Sequence, residues 1–479
     1  MLVVFTIAYL VVTIAIGLYA ARFVHDAKDY LVAGRGLPLY MNVATVFATW
    51  FGAETVLSVS ATFVKDGLGG IPADPFGASF CLVFVALFFA RAFYRMDLLT
   101  IGDFYKKRYG KGVEVLTSLA VTLSYLGWTS AQLTALGIVF NSLSGGAISL
   151  NGGILMGAVI VLVYTTFGGM WSVALTDLFQ SVVIVLGLVY VAFLVAGKAG
   201  GFAAVVSHAS EAGKFQFWPT GGSKEWWAFV AAWVTLAIGS IPQQDVFQRV
   251  TSAKNEKTAV RGTLIGAAAY FCFAFVPIFL AYAALLVDPK VTEELLKQEG
   301  REVQLILPSL VLNHTPLFAQ VMFFGALLSA ILSTASGALL APTALFTENV
   351  LKPLFGNVSD KRFLVMLRTV LVFFTAGVLI FALNNTSTMY EMVQNAYKVT
   401  LVGAFVPLVC GIYWHRASTQ GALVSSLAGL VVWGICEKFF ADADIPPQIV
   451  GLFASMVGML LGSYAPQLVK DARHGTHAT

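Results

Sequence analysis

The residues of this chain best suited to binding an ion are hydroxyls set inside an apolar stretch. Ser329, Ser333, Thr334 and Ser336 lie within residues 323–349, a segment long and apolar enough to cross a bilayer. On a helix, Ser329, Ser333 and Ser336 follow at i, i+4 and i+7 and therefore share one face, which Thr334 widens. Such a stripe either packs against a neighbouring helix or offers oxygen atoms to an ion.

Two further apolar segments have polar, helix-interrupting middles. Residues 48–56 read Ala-Thr-Trp-Phe-Gly-Ala-Glu-Thr-Val, and residues 238–245 read Ile-Gly-Ser-Ile-Pro-Gln-Gln-Asp. Broken helices of this kind expose backbone carbonyls near the middle of a membrane and are typical of transporters built from inverted repeats. The alternative is that Gly52 and Pro242 mark ordinary kinks, since Gly and Pro are frequent in membrane helices.

The composition predicts an all-α, polytopic membrane protein. Of the 479 residues, 58% are hydrophobic and 11% are charged, and the mean hydropathy is +0.82. Soluble domains carry about 25% charged residues. At about 20 residues per crossing, we expect about 13 transmembrane helices, centred near residues 12, 52, 85, 126, 158, 184, 237, 272, 332, 374, 402, 428 and 457.

The basic residues predict the orientation of the chain. If the N-terminus is outside, roughly 20 of the 29 Lys and Arg residues, Lys470 and Arg473 among them, fall on cytoplasmic segments. The opposite loops carry acids instead, including Asp74, Asp288 and Glu299. We therefore expect an external N-terminus and a cytoplasmic C-terminus, in a plasma membrane or a bacterial inner membrane.

Several other classes of function lack their sequence signals. The net charge of +4 comes without a basic stripe interleaved with aromatic residues, which argues against nucleic acid as a partner. P-loop and dinucleotide-binding patterns are absent, and no Cys or His pair has the spacing of metal ligands. We expect neither an enzyme nor a catalytic residue, and the sequence carries no signal for an oligomeric state.

The chain also carries the motifs of a known family. Residues 168–180, Gly-Gly-Met-Trp-Ser-Val-Ala-Leu-Thr-Asp-Leu-Phe-Gln, resemble the G-G-x-x-x-V-x-x-T-D-x-x-Q signature of the sodium:solute symporter family. Further matches follow in the family's order at residues 29–35, 100–110, 247–254, 330–334 and 347–349. The resemblance implies a LeuT-like core of ten helices arranged as a 5+5 inverted repeat, with one extra helix before it and two after it. The corresponding units are an accessory helix at 1–24, repeats at 41–197 and 226–414, and two peripheral helices at 417–470.

The resemblance also implies a sodium site. Carried over to this sequence, its ligands are the backbone carbonyls of Ala53, Val56 and Ala330 and the hydroxyls of Ser333 and Thr334. An unwound helix facing a Ser-Thr pair supplies the oxygen ligands that a hard cation needs.

A second cation site is incomplete in this chain. In some family members an acid equivalent to Asp177 binds a second sodium with two serines, which align with Ser336 and Gly337. The glycine offers no side-chain oxygen. Asp177 could instead be satisfied by Thr176 or a neighbouring backbone group, and we expect about one sodium ion per transport cycle.

The substrate is less clearly marked. Trp50 resembles a tryptophan of the choline-transporter branch, but Gln243 stands where that branch has a second tryptophan, which disfavours choline itself. Other candidates for a solute cavity are Trp128, Gln132, Trp233, Gln244 and Tyr397, each of which could equally be a packing residue. Glu54 could serve local hydrogen bonding or recognise a cation. Lys398, buried in a predicted span, could extend outward past Glu391 or act as the counter-charge of an anionic solute.

These features predict a sodium-coupled symporter that imports a small polar organic solute, an amino acid, a carboxylate or an amine, across a lipid bilayer by alternating access. The alternatives are a solute sensor with a transporter fold and a proton-coupled or passive transporter.

Overall fold

The protein is entirely helical wherever its structure is described. The computed structural model describes residues 2–298, 300–356 and 358–469, so Glu299, Lys470 and Arg473 lie outside it. In those ranges the chain forms no strand, and an isolated bridge joins Leu37 to Ala253.

The helices follow one another with short connections. In chain order they are α1 (Leu2–Ala20), α2 (Leu39–Trp50), α3 (Glu54–Asp66), α4 (Pro72–Met96), α5 (Ile101–Tyr109), α6 (Lys111–Leu143), α7 (Leu150–Val163), α8 (Gly169–Lys198), α9 (Phe202–Glu211), α10 (Ser223–Ala237), α11 (Gln244–Thr251), α12 (Glu256–Val287), α13 (Leu317–Phe355), α14 (Asp360–Asn384), α15 (Met389–Tyr413), α16 (Thr419–Phe439) and α17 (Pro447–Tyr464). Short helices also form at Ala27–Val32, Pro289–Leu296 and Ile306–His314.

The all-α membrane architecture predicted from composition is confirmed. Within the described ranges, nine helices are long and apolar enough to cross a membrane, and the bent pair α2 and α3 makes up to ten. The other three expected spans fall on the 33-residue helix α6, on the shorter α7 and on the interrupted pair α10 and α11. The total of thirteen stays a prediction.

The first break lies between α2 and α3. The two helices meet at 55° because Phe51 leaves the helical conformation, with φ −83° and ψ 74°. Gly52 then allows a close approach: a Cβ atom there would lie 2.4 Å from Oε2 of Glu54. The break thus brings the carboxylate of Glu54 back against the turn, where a side chain at position 52 would displace it.

The second break lies between α10 and α11, as its Gly-Ser-Ile-Pro sequence predicted. Helix α10 ends at Ala237, and Gln243 has extended backbone angles before α11 begins. A Cβ atom at Gly239 would lie 2.9 Å from the carbonyl oxygen of Tyr397. This second interruption is therefore packed directly on the backbone of α15.

The hydroxyl-bearing helix α13 lies at the centre of the bundle. It packs against α8 and α6, and α1 covers α8 and α13 from outside. The terminal helices α16 and α17 pack mainly on each other. The boundaries of the two repeats remain a prediction.

The charge asymmetry predicts which loops face the cytoplasm. In a background without Cys81, Cys272, Cys410 and Cys436, the exposed residues Lys107 and Glu294 are each replaced by cysteine. An impermeant maleimide should label Glu294→Cys in intact cells and Lys107→Cys only after permeabilisation, because Lys107 lies in a basic segment. Labelling of both from outside would contradict the predicted orientation.

Candidate functional site

The hydroxyl stripe of α13 is fully buried, and its members have different partners. Oγ of Ser329 lies 2.5 Å from the hydroxyl of Tyr9, which ties α1 to α13. Oγ of Ser336 donates to the carbonyl oxygen of Ser333 at 2.8 Å, within the same helix. Ser333 and Thr334 instead contact residues of α8 and α2, respectively.

Thr334 meets the end of the first broken helix. Its Oγ1 donates to the carbonyl oxygens of Ala48 and Thr49, at 3.3 and 3.1 Å. In a continuous helix these carbonyls would accept from the amides of Gly52 and Ala53. At the break both amides bond elsewhere, so the two carbonyls are left to a side chain or a cation.

The carbonyls expected from the resemblance, those of Ala53 and Val56, lie beyond the break. The carbonyl of Val56 accepts from Oγ of Ser60 at 2.5 Å inside α3. The helix opens at Phe51 and Gly52, so the free carbonyls that Thr334 contacts belong to the preceding turn. Ala330, whose carbonyl was also expected to bind sodium, is fully buried one turn before Thr334.

Asp177 contacts the same site. Ser333 Oγ donates to its Oδ1 at 2.5 Å, and Asp177 is fully buried on α8. The neighbouring Thr176 bonds the carbonyl of Ser172 instead, so the acid has a partner on another helix. Backbone carbonyls, hydroxyls and one carboxylate therefore converge, a donor set that fits a hard cation such as sodium.

Glu54 is the centre of a second buried polar group. Nε1 of Trp128 donates to its Oε1 at 3.1 Å, and Nε2 of Gln132 donates to its Oε2 at 2.6 Å. The oxygen of the same Gln132 amide accepts from the backbone N–H of Ala53 at 3.2 Å. Helix α6 thereby holds both the carboxylate and the backbone of the break.

Asp74 is a site residue that the sequence reasoning assigned wrongly to an external loop. It is buried, with 3% of its surface exposed, and it accepts hydrogen bonds from Thr55 Oγ1 at 2.9 Å and from the hydroxyl of Tyr270. In the sequence, the position of Asp74 between Pro72 and Pro75, at the start of an apolar span, could have indicated this burial. Tyr270 carried no local signal in the sequence.

Aromatic rings surround these acids. The rings of Trp50 and Tyr397 are parallel within 3°, with centroids 6.5 Å apart. Trp128 lies 6.0 Å from Tyr397, and Tyr270 lies 6.5 Å from Trp50, centroid to centroid. The structure thus brings together Trp50, Trp128 and Tyr397 from three separate parts of the sequence.

The two glutamines of the second break point in different directions. Nε2 of Gln243 donates to Oγ of Ser124 at 3.0 Å and lies 3.3 Å from Oγ1 of Thr400. Oε1 of Gln244 accepts from the backbone N–H of Ile101 at 2.8 Å, at the start of α5. Gln244 therefore ties α11 to α5 and is not grouped with the aromatic rings.

Trp233 also lies apart from these rings. It packs against Phe80 and Phe84, with centroid distances of 5.5 and 6.3 Å. It lines an apolar cavity of about 490 Å³ together with Phe76 and Phe217. Its contacts are typical of helix packing, since the cavity is lined by Phe, Trp and Val side chains.

Lys398 is paired within the protein. Its Nζ lies 3.2 Å from Oε1 of Glu437 on α16, and 16% of its side chain is exposed. Both residues line a cavity of about 590 Å³ that also includes Glu391 and Lys224. Glu437, rather than Glu391, is the counter-charge that the described structure gives to Lys398.

Known proteins resemble this chain over nearly its full length. The model of the sodium:solute symporter family matches residues 30–429. The high-affinity choline transporter 1 of Caenorhabditis elegans is 26% identical over 446 residues, covering 88% of this chain and 76% of the relative. The sodium/pantothenate symporter of Escherichia coli is 24% identical over 481 residues, 96% of each chain.

Solved structures show the same fold at lower identity. A sodium-coupled sialic acid symporter in a substrate-bound, outward-open state superimposes with a TM-score of 0.81 at 18% identity, covering 97% of this chain and 98% of the other. Mhp1, a nucleobase-cation-symport-1 family transporter in a closed conformation, gives a TM-score of 0.62 at 15% identity, covering 93% and 97%.

The family match covers most of the chain, and the buried oxygen cluster lies at a helix break. The chain belongs to the sodium:solute symporter family and is an integral membrane symporter that couples sodium to a small solute.

Proposed function

We propose that this symporter carries a small organic cation inward with sodium, and that the ammonium group of the solute binds near Glu54 and Asp74. One observation carries the proposal: both acids are buried among aromatic rings, and neither has a Lys or Arg partner within the described part of the chain. A carboxylate inside a membrane protein needs a counter-charge. Aromatic faces attract the same kind of charge.

The contacts of Lys398 and Gln243 disfavour an anionic solute and a fully methylated cation, respectively. Lys398, the candidate counter-charge for a carboxylate, is already neutralised by Glu437. Gln243 places an amide, rather than an aromatic ring, beside Ser124 and Thr400. We therefore propose a solute with an ammonium group and a further polar group, which differs from a fully methylated cation in its hydrogen bonding.

For sodium we propose a revised ligand set. It consists of the carbonyls of Ala48, Thr49 and Ala330 and the hydroxyls of Ser333 and Thr334. The contacts of Thr334 with the first two carbonyls support this choice. Asp177, bonded to Ser333, adds a negative charge beside an otherwise neutral set.

Both proposed sites use the first break, which gives a physical basis for coupling. The carbonyls of Ala48 and Thr49 face α13, while Trp50 and Glu54 take part in the solute region. A sodium ion that holds the two carbonyls in place also fixes the backbone from which Trp50 and Glu54 project. Sodium binding should therefore raise solute affinity, and the effect is reciprocal.

Thr334→Ala tests the sodium ligands. It removes one oxygen from the set, and sodium affinity should fall at least tenfold, about 1.4 kcal/mol. Thr334→Ser keeps the hydroxyl and should retain most of the affinity. The control is Thr343→Ala on the same helix, because the hydroxyl of Thr343 bonds only carbonyls of its own helix, those of Leu339 and Leu340. Sodium dependence of uptake that is equal in Thr334→Ala and Thr343→Ala would refute the ligand role.

The solute class is tested with a labelled panel. Proteoliposomes containing the protein are given amines, amino acids and carboxylates, with and without an inward sodium gradient. Amines should be accumulated, and Glu54→Gln or Asp74→Asn should lower their apparent affinity more than tenfold, since a hydrogen bond to a charged group contributes about 1.5–3 kcal/mol.

Glu391→Gln is the matched control for the acid variants, because Glu391 is exposed in the cavity lined by Lys398 and Glu437. It makes the same chemical change outside the proposed site and should leave amine affinity nearly unchanged. Sodium-driven uptake of carboxylates that survives Glu54→Gln and Asp74→Asn would contradict the proposed solute class.

A further inference from the structure

Aromatic side chains form a continuous row through the core. From each ring to the next, the centroids lie 5.8 to 6.5 Å apart. In order along the row, the residues are Tyr270, Trp50, Tyr397, Trp128 and Tyr125. Aromatic faces attract a cation within about 6 Å of the ring centroid. The row therefore offers more than one place for a positive charge.

A buried carboxylate lies at each end of this row. The hydroxyl of Tyr270 donates to Oδ1 of Asp74, and the hydroxyl of Tyr125 donates to Oδ1 of Asp245. Asp74 is 3% exposed and Asp245 is fully buried. The backbone N–H of Asp245 also donates to the oxygen of Tyr125 at 2.9 Å, which fixes this end of the row. Asp74 already belongs to the proposed solute site, whereas Asp245 has no role in it.

The Asp245 end of the row has unused hydrogen-bond acceptors. Oδ2 of Asp245 is buried and has no hydrogen-bond partner in the described structure, and the same holds for Oε1 of Gln243. Both residues lie at the second break, where α11 begins. A primary ammonium group carries three N–H donors, as the side chain of lysine does. This end therefore fits a primary ammonium better than a quaternary one, which has no N–H to donate.

Arg249 does not form an ion pair with Asp245. It lies one turn further along α11, and its Nε donates to the hydroxyl of Thr49 at 2.9 Å. No ion pair of 4 Å or less joins Arg249 to Asp245 within the described ranges. At longer range the positive charge of Arg249 acts on both Asp245 and Asp177. One arginine is thus shared between two acids.

The buried charges of the described residues do not balance. Glu114 is paired with Lys106, whose Nζ lies 3.6 Å from its Oε1. Against one buried base, Arg249, the core sets four other buried acids: Glu54, Asp74, Asp177 and Asp245. Arg249 and the single sodium ion expected per cycle offset two of these acids, and two negative charges remain. Uncompensated charges are costly inside a membrane protein, so a solute with two positive charges would restore the balance.

We propose that the transported solute is a small aliphatic diamine with a primary ammonium group at each end. One ammonium binds near Glu54 and Asp74, and the other binds the carboxylate of Asp245 and the amide oxygen of Gln243. The methylene chain between them lies against the aromatic rings, whose faces make apolar contacts. The inference rests on the proposed function, because the first ammonium occupies the solute site proposed above, and it adds the second ammonium and its acid.

A proton on one of the acids would also reduce the negative charge. In that case one ammonium would suffice, and Asp245 would be no more than a structural partner of Tyr125. The two explanations differ in how the protein discriminates between solutes of equal length. A second ammonium raises affinity only if Asp245 is charged and binds it.

The experiment uses the full chain in proteoliposomes with an inward sodium gradient. The probes are a series of α,ω-diamines of increasing chain length, each compared with the monoamine and the amino alcohol of the same length. Affinity for the best diamine should exceed that for the matched monoamine roughly tenfold or more, because hydrogen bonds to charged groups contribute free energy of this order. The amino alcohol should resemble the monoamine, since its hydroxyl fills the same space without a charge.

Asp245→Asn tests the second acid, because it keeps the shape of the side chain and removes its charge. It should lower the ratio of diamine affinity to monoamine affinity about tenfold, toward one. The matched control is Asp442→Asn, the same change at an exposed residue between α16 and α17, which should keep the ratio of the unaltered protein. A merely structural role of Asp245 would weaken both solutes alike and leave the ratio unchanged.

A binding measurement guards against loss of folding. Thermal unfolding of each purified variant is followed against diamine concentration, since a ligand that binds the folded state raises the melting temperature. A diamine preference that survives in a folded Asp245→Asn would overturn the inference. If that variant does not fold, the unaltered protein decides: equal affinity for diamines and matched monoamines at every length would overturn the inference and leave the proposed function intact. Accumulation of carboxylates without amines would overturn both.

Discussion

The rest of the site depends on two backbone carbonyls that have lost their helical partners inside the buried core. At the first break the amides of Gly52 and Ala53 bond elsewhere, which leaves the carbonyls of Ala48 and Thr49 to Thr334. Unpaired carbonyls are costly inside a membrane protein unless a donor or a cation approaches them. The hydroxyl that α13 supplies therefore stabilises the break, and a cation bound at the same two carbonyls would stabilise it further.

Buried acids impose the second constraint. The core holds Glu54, Asp74, Asp177 and Asp245, and Arg249 is the basic residue that contacts the same region. Aromatic hydroxyls and amides satisfy part of this hydrogen-bonding capacity, as Tyr125 does for Asp245 and Tyr270 does for Asp74. They do not supply positive charge. The remaining charge would be compensated by mobile cations, namely sodium and, if the proposed solute class is correct, the solute itself.

The types of residue at the candidate site were easier to predict from the sequence than the positions of the carbonyls and the directions of the side chains. Ser333, Thr334 and Gly52 were recognisable because hydroxyls and a glycine with an acid stand out in apolar spans. The carbonyls that Thr334 contacts were not among those expected, since every residue has a carbonyl and only the backbone angles of Phe51 show where the helix opens. Asp74 was assigned to a loop because its burial depends on Tyr270, which is distant in sequence. Trp233 and Gln244 looked equivalent to Trp128 and Gln132, but the direction of a side chain around a helix is set by tertiary packing.

A fixed cation and a mobile cation have different consequences for a transport cycle. The charge of Arg249 is covalently attached and permanent, so, unlike a bound ion, it cannot be lost to either side of the membrane. On the proposed ligand set, sodium at Ala48, Thr49 and Thr334 would leave in each transport cycle, and the carbonyls at the break would then lose a ligand that stabilises the bend between α2 and α3. The state of the break would thus follow the sodium gradient, while the arginine remains in place with its Nε on the hydroxyl of Thr49.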